Sequence, residues 1–210
     1  MIRSAYVLLI LLASAGAAAL DVNITADLEY VDVMHNGRPV RIMRNQDPDN
    51  TISERYAYTS RKCPPFCIQP AVIAPGVETI AELEMLEYLK QASAVDATVL
   101  VIDSRTPDWV ANGTIPGSVN IPWTMLDTGA GADPFQIADI LQQRFGVKNR
   151  EGLWDFSAAR TLVLFCNGNW CGQSPANIRS LLALGYPAAR LKWYRGGMQN
   201  WEMLGLTVVK

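Results

Sequence analysis

The stretch TLVLFCNGNWCGQSPANIRSLLAL, Thr161 to Leu184, decides the fold. Leu162 to Phe165 is a short apolar run that reads as a buried strand. Cys166 ends it, a loop of Asn, Gly, Asn and Trp with a second cysteine, Cys171, follows, and then a helical pattern begins. A thiol delivered by a buried strand to a loop that opens a helix faces backbone N–H groups with no intrahelical partner, which direct partial positive charge at whatever lies between them. A thiolate or a sulfur-borne anion suits that place, so Cys166 is expected to be nucleophilic near neutral pH without a histidine base. The only histidine, His35, stands in a turn-like His-Asn-Gly far away in the chain. The competing reading is a strand-end cysteine that is merely small, apolar and buried.

Outward from this unit the chain alternates strand and helix from Pro75 onward. GVETIAELEMLEYLKQ carries Ile80, Leu83, Leu86 and Leu89 as a helical stripe, with Thr79 as its N-cap and Met85 and Tyr88 packing beside it. ATVLVID, Ala97 to Asp103, reads as a buried parallel strand. A further helix is expected over 133–145, with Pro134 in its first turn. Asp103 and Arg105 follow the strand's end, where open α/β sheets place ligands. Trp193, Tyr194 and Trp201 read as core, whereas Trp170 is either a pocket wall or a core residue.

The chain has 210 residues, and the first twenty read as a secretory signal: Arg3, an apolar run from Tyr6 to Leu12, and small residues through Ala19. That run is short for a membrane span, which needs roughly 20 apolar residues, so no span is expected once the signal is removed, although retention as an anchor is the alternative. Lys and Arg number 18 and Asp and Glu 20. Loss of Arg3 makes the balance 17 − 20, or −3, and no nucleic-acid partner is implied. An exported, periplasmic protein can oxidise its thiols. Residues 21–74 form an extension: a hairpin from Leu28–Met34 and Val40–Met43 about the HNGRP turn, a polar loop, and the proline-stiffened CPPFC. Cys63 and Cys67 are expected to form a local disulfide, with a second redox or persulfide-accepting pair as the alternative. Metal binding is not expected, because four thiolates would have to converge from two regions with no histidine beside either pair.

VIDSRTPDWVANGTIPGSVNIPW, the strand-cysteine-loop-helix unit and YRGGMQNWEMLGLTVV together resemble, in this order, the rhodanese-like domain, over roughly residues 75–210. The resemblance implies an α/β, doubly wound fold with a central parallel sheet, here preceded by the small hairpin-containing extension. It implies that Cys166 accepts a sulfane sulfur as a persulfide from a small sulfur-containing donor and passes it to a thiol or cyanide, with no cofactor. Asn167, Gly168, Asn169, Trp170, Cys171 and Gly172 correspond to the loop around the sulfur. Asp103 and Arg105 correspond to the family's aspartate and arginine, assigned chiefly to an internal ion pair that braces the loops. Gly196 and Gly197 correspond to the glycine pair before the last helix, where backbone must come close to the site.

The departures sharpen the expectation. Thiosulfate-using relatives commonly carry basic side chains in the loop and this one has none, so thiosulfate is an uncertain donor. Thr114 stands where many relatives have histidine. Cys171 could resolve a persulfide on Cys166, releasing sulfide and leaving a disulfide, if the two Cα atoms lie within about 7 Å; otherwise it packs, or forms an inert bridge. Phosphatase chemistry needs a longer loop closing on a phosphate-clamping arginine, and Gly172 occupies the sixth position after Cys166. Two functions therefore stand beside sulfur transfer: thiol-disulfide exchange through Cys166 and Cys171, and a non-catalytic module that presents its loop to an exported protein partner.

Overall fold

The computed structural model describes residues 21–210, so the expected signal lies outside the described residues. The core is a five-stranded, all-parallel sheet of order β3-β9-β8-β4-β5. Its strands are β3 (Glu78–Ile80), β4 (Val99–Asp103), β5 (Val119–Asn120), β8 (Thr161–Phe165) and β9 (Leu191–Tyr194). Strand β8 is central, paired with β4 on one side and β9 on the other. Side chains alternate across a strand, so its apolar run serves two cores. Leu162 and Leu164 join Ile102, Leu191 and Trp193 beneath the helix α5 (Gln173–Ala183). Val163 and Phe165 join Val101 and Tyr194 beneath α2 (Glu82–Ala92) and α6 (Gly197–Met203). Covering both faces is what lets β8 be apolar throughout, and the chain has the α/β rhodanese-like architecture.

The extension opens with an antiparallel hairpin, β1 (Tyr30–His35) and β2 (Arg38–Met43). Asn36 and Gly37 have φ of 50° and 76°, the left-handed pair a two-residue hairpin turn requires. Val31, Val33 and Ile42 pack into the core beneath α2, so the hairpin is attached through buried surface. A short helix, α1 (Glu54–Ala57), follows, and the segment from there to Pro70 runs past the end of β8.

The expected first helix needs correction. Residues 78–80 form β3, pairing with β9, and α2 begins only at Glu82. Thr79 is therefore no N-cap: its hydroxyl donates to the Ala71 carbonyl, while the Ala81 amide is met by the Glu84 carboxylate. The buried face of α2 is Met85, Leu86 and Leu89, and Leu83 is exposed. At 133–145, Asp133 caps the Phe135 amide at the start of α4 (Pro134–Asp139), which widens into a π-helical turn, Ile140–Arg144. The chain also has the short helix α3 (Pro107–Val110), three single 3-10 turns (Trp123–Met125, Thr128–Ala130 and Ala188–Arg190) and a minor antiparallel pair, β6 (Lys148–Arg150) with β7 (Leu153–Asp155).

Candidate active site

Strand β8 ends by carrying Cys166 to the C-terminal edge of the sheet, at the mouth of a loop that closes on α5. The thiol is 2 % exposed, yet its surroundings are polar. The Ser174 hydroxyl, in the first turn of α5, donates to Cys166 Sγ at 3.1 Å. The indole N–H of Trp193 donates to that same hydroxyl oxygen at 3.0 Å, which orients its proton toward the sulfur. Cys166 Sγ in turn lies 3.3 Å from the Cys171 carbonyl. Burial pushes the thiol pKa up. The neighbouring Cys171 thiol, the Ser174 hydroxyl and the Ser174 and Gly168 amides outweigh burial and bring it down to about 7. No cation takes part; dipoles alone stabilise the anion.

Cys171 behaves in the opposite sense. It is also buried and free, and burial together with the neighbouring Cys166 pushes its pKa well up. Of the pair, Cys166 is therefore the thiol that ionises first. Of the loop amides expected around the sulfur, Gly168 faces it, while the Cys171 amide is committed to the Gly168 carbonyl. The Asn169 carbonyl accepts from the Gln69 amide of the extension, and Gly172 is the N-cap residue of α5. The Asn167 side chain is buried, with its Nδ2 3.9 Å from Cys171 Sγ. His35 accepts from the Gly117 amide and touches none of these groups.

Two structures hold the loop from behind. The first is the glycine pair. Gly197 has φ of +56°, and a Cβ there would lie 2.4 Å from the Cys166 carbonyl oxygen and 2.7 Å from the Gly168 nitrogen. Only glycine permits that approach, and it lets the Met198 and Gln199 amides donate to the Cys166 and Asn167 carbonyls. At Gly196 a Cβ would collide with the Asn200 side chain. The second is a buried ion pair. Arg105 Nη2 lies 2.5 Å from Asp103 Oδ2, each side chain 1 % exposed, and Thr114 donates its hydroxyl to the same carboxylate. Arg105 also donates to the Gly113 carbonyl and to the Tyr56 hydroxyl. Tyr56 passes the chain on, donating to Asn167 Oδ1 at 2.8 Å. The ion pair therefore reaches the loop through a tyrosine of the extension and does not touch the thiol.

The front of the site is built by the same extension. Cys63 and Cys67 form a disulfide with a Cα–Cα distance of 4.7 Å. Phe66, between them, packs on Trp170 with ring centroids 5.2 Å apart. Trp170 is held on its other edge by a hydrogen bond to Gln199, at 2.7 Å, and by Trp109 at 6.4 Å. Gln69 and Pro70 carbonyls accept from Arg195. Between this strap and the loop is a cavity of about 310 Å³ whose wall includes Pro65, Phe66, Trp109, Trp123, Trp170 and Cys171.

The sequence reading did not single out Ser174, Tyr56 or Gln199. A serine two residues into the helix that follows the loop was a usable signal for the first, because first-turn hydroxyls point at what the helix end faces. Nothing local marks Tyr56. No cluster of potential metal ligands occurs among the described residues.

Among solved structures, the chain is similar to a rhodanese-related protein from Thermoplasma volcanium, at 22% identity over 63% of this chain and 97% of that one, with a TM-score of 0.38. It is also similar to a human single-domain sulfurtransferase, at 20% identity over 60% and 96% of the two chains with a TM-score of 0.39. A single-domain sulfurtransferase from Saccharomyces cerevisiae shares 14% identity over 60% and 89%, with a TM-score of 0.37. A comparison with curated proteins returns no match. The family model of the rhodanese-like domain matches residues 85–204, more than half of the sequence and the span that holds the ion pair, the cysteine loop and the glycine pair. The chain belongs to the rhodanese-like domain family.

Proposed function

We propose that the protein is a sulfurtransferase or persulfide carrier in which Cys166 is the nucleophile. The observation that carries this reading is a buried thiol at the end of β8 that accepts a hydrogen bond from the Ser174 hydroxyl at 3.1 Å, in surroundings that draw its pKa down to about 7. In the reaction the Cys166 thiolate attacks the sulfane sulfur of a donor R–S–SH. A new S–S bond forms, the donor's S–S bond breaks, and R–S⁻ leaves, giving Cys166–S–SH. No charged side chain lines the cavity before the loop, which favours a persulfide donor over thiosulfate. The test is sulfur transfer by wild type and Cys166→Ser, with intact mass read after donor treatment. A gain of about 32 Da, one sulfur atom, is expected only when Cys166 is present. Equal turnover by both proteins would end the proposal.

Thiol-disulfide exchange is the second reading, favoured by two free buried thiols in one loop, each of which shifts the ionisation of the other. It predicts a Cys166–Cys171 bridge after mild oxidation, found by peptide mass mapping, and loss of activity in Cys171→Ser. The proposal also includes export: the Cys63–Cys67 disulfide suits an oxidising compartment. Among the described residues no helix is long and apolar enough to cross a membrane. Recovery of the mature protein from the cytosol with an intact N-terminus would refute that part.

A further inference from the structure

The cavity before the cysteine loop has a composition unlike that of a site for a small hydrated anion. Its wall joins Trp109, Trp123 and Trp170 with Phe66 and Pro65, and apart from the indole N–H groups its polar side-chain atoms come from Asn167, Gln173 and Cys171. At about 310 Å³ it matches the lower range of small-molecule sites, roughly 300 Å³ upward, and is much larger than cyanide or sulfide needs. Cys171 is in the wall and its carbonyl oxygen lies 3.3 Å from Cys166 Sγ, so an occupant rests against the front of the loop that holds Cys166.

Aromatic walls also recognise cations, but here that role is already taken. The Arg61 guanidinium stacks on Trp170 at 4.9 Å and on Phe66 at 4.8 Å, and Arg55 stacks on Trp109 at 5.0 Å. These contacts pin three of the rings and add positive charge beside the cavity, and no carboxylate lines it. A cationic ligand is repelled. A neutral apolar body is accepted, whereas a hydrated dianion such as thiosulfate finds no charged side chain in the wall to replace its water.

We propose that this cavity is the acceptor subsite, and that it takes an uncharged organic thiol with an apolar, preferably aromatic, body. The proposal rests on the sulfur-transfer reading for its chemistry, while the binding itself does not. The bound thiol R–SH loses its proton to solvent, and R–S⁻ attacks the outer sulfur of Cys166–S–SH. The bond between that sulfur and Cys166 Sγ breaks, Cys166 leaves as a thiolate, and the product is R–S–SH. The extension outside the family-matched residues 85–204 supplies Pro65 and Phe66, so acceptor choice is set by the strap as much as by the loop.

Binding is measured by calorimetry on the full chain carrying Cys166→Ser, which cannot form the persulfide. The probes are benzyl mercaptan, cysteamine as a cationic thiol, and thiosulfate. Benzyl mercaptan is expected to bind at least about 10-fold more tightly than either, a difference of about 1.4 kcal/mol. Adding Phe66→Ala, on the surface strap, and separately Trp170→Ala, is expected to weaken it about 10-fold each. Equal affinities for the three probes, tighter binding of cysteamine or thiosulfate, or no effect of Phe66→Ala overturns the assignment. Failure of wild type to gain a sulfur atom overturns the sulfur-transfer reading and leaves the calorimetric result standing.

Discussion

Ser174→Ala removes one hydroxyl from the Cys166 environment and tests how the anion is held. Burial raises the Cys166 pKa, but the polar groups around the sulfur outweigh it and bring the value from 9.0 down to about 7. A hydrogen bond to a charged group contributes about 1.5–3 kcal/mol. Loss of the 3.1 Å Ser174 contact therefore raises the pKa by about 1–2 units. At pH 7 the thiolate fraction falls from about one half to between about one tenth and one hundredth. The assay is a pH titration of thiolate ultraviolet absorbance, with Cys166→Ser subtracted. An unchanged midpoint in Ser174→Ala, or a wild-type midpoint near 9, refutes the reasoning. Stability follows the same shift. Between pH 7 and 9 the folded protein has released a proton that the unfolded chain retains, so Cys166's contribution grows with pH across that window and is lost as pH falls through 7. Cys171 has the reverse sign: the fold retains its proton, so its contribution falls as pH rises past 9.

Gly197→Ala drives a Cβ into the Cys166 carbonyl at a φ of +56°, and urea unfolding should show a loss of about 2–4 kcal/mol. Arg105→Met leaves Asp103 buried without its partner; a loss of about 3–5 kcal/mol is expected in the same assay, and a loss below 1 kcal/mol would contradict the role given to the pair. Removing the disulfide by Cys63→Ser with Cys67→Ser opens a very short loop. It should cost no more than about 2 kcal/mol while making residues 58–70 more sensitive to limited proteolysis.

The parts of the fold that local pattern reveals were legible. Thr161–Phe165 is apolar because both faces are covered, and the hairpin turn has its left-handed Asn-Gly pair. The 78–92 region misleads for a physical reason: β3 is three residues long, and what makes it a strand is pairing with β9, more than a hundred residues later. Cys166, the glycine pair and the Asp103–Arg105 pair could be placed because motif order carries them. Tyr56 could not, because its role comes from touching both Arg105 and Asn167 across the molecule. Trp170 stood between wall and core in the sequence, and it serves as both: one edge is fixed by Gln199, and the ring borders the cavity.

The strap has a consequence for anyone shortening this protein. A fragment trimmed to the family-matched residues would keep Cys166, the ion pair and the glycine pair, and would lose Tyr56, Phe66 and Gln69 together. Such a fragment would open the cavity before the loop to bulk water, and its reactivity toward small reagents would not stand for that of the intact chain.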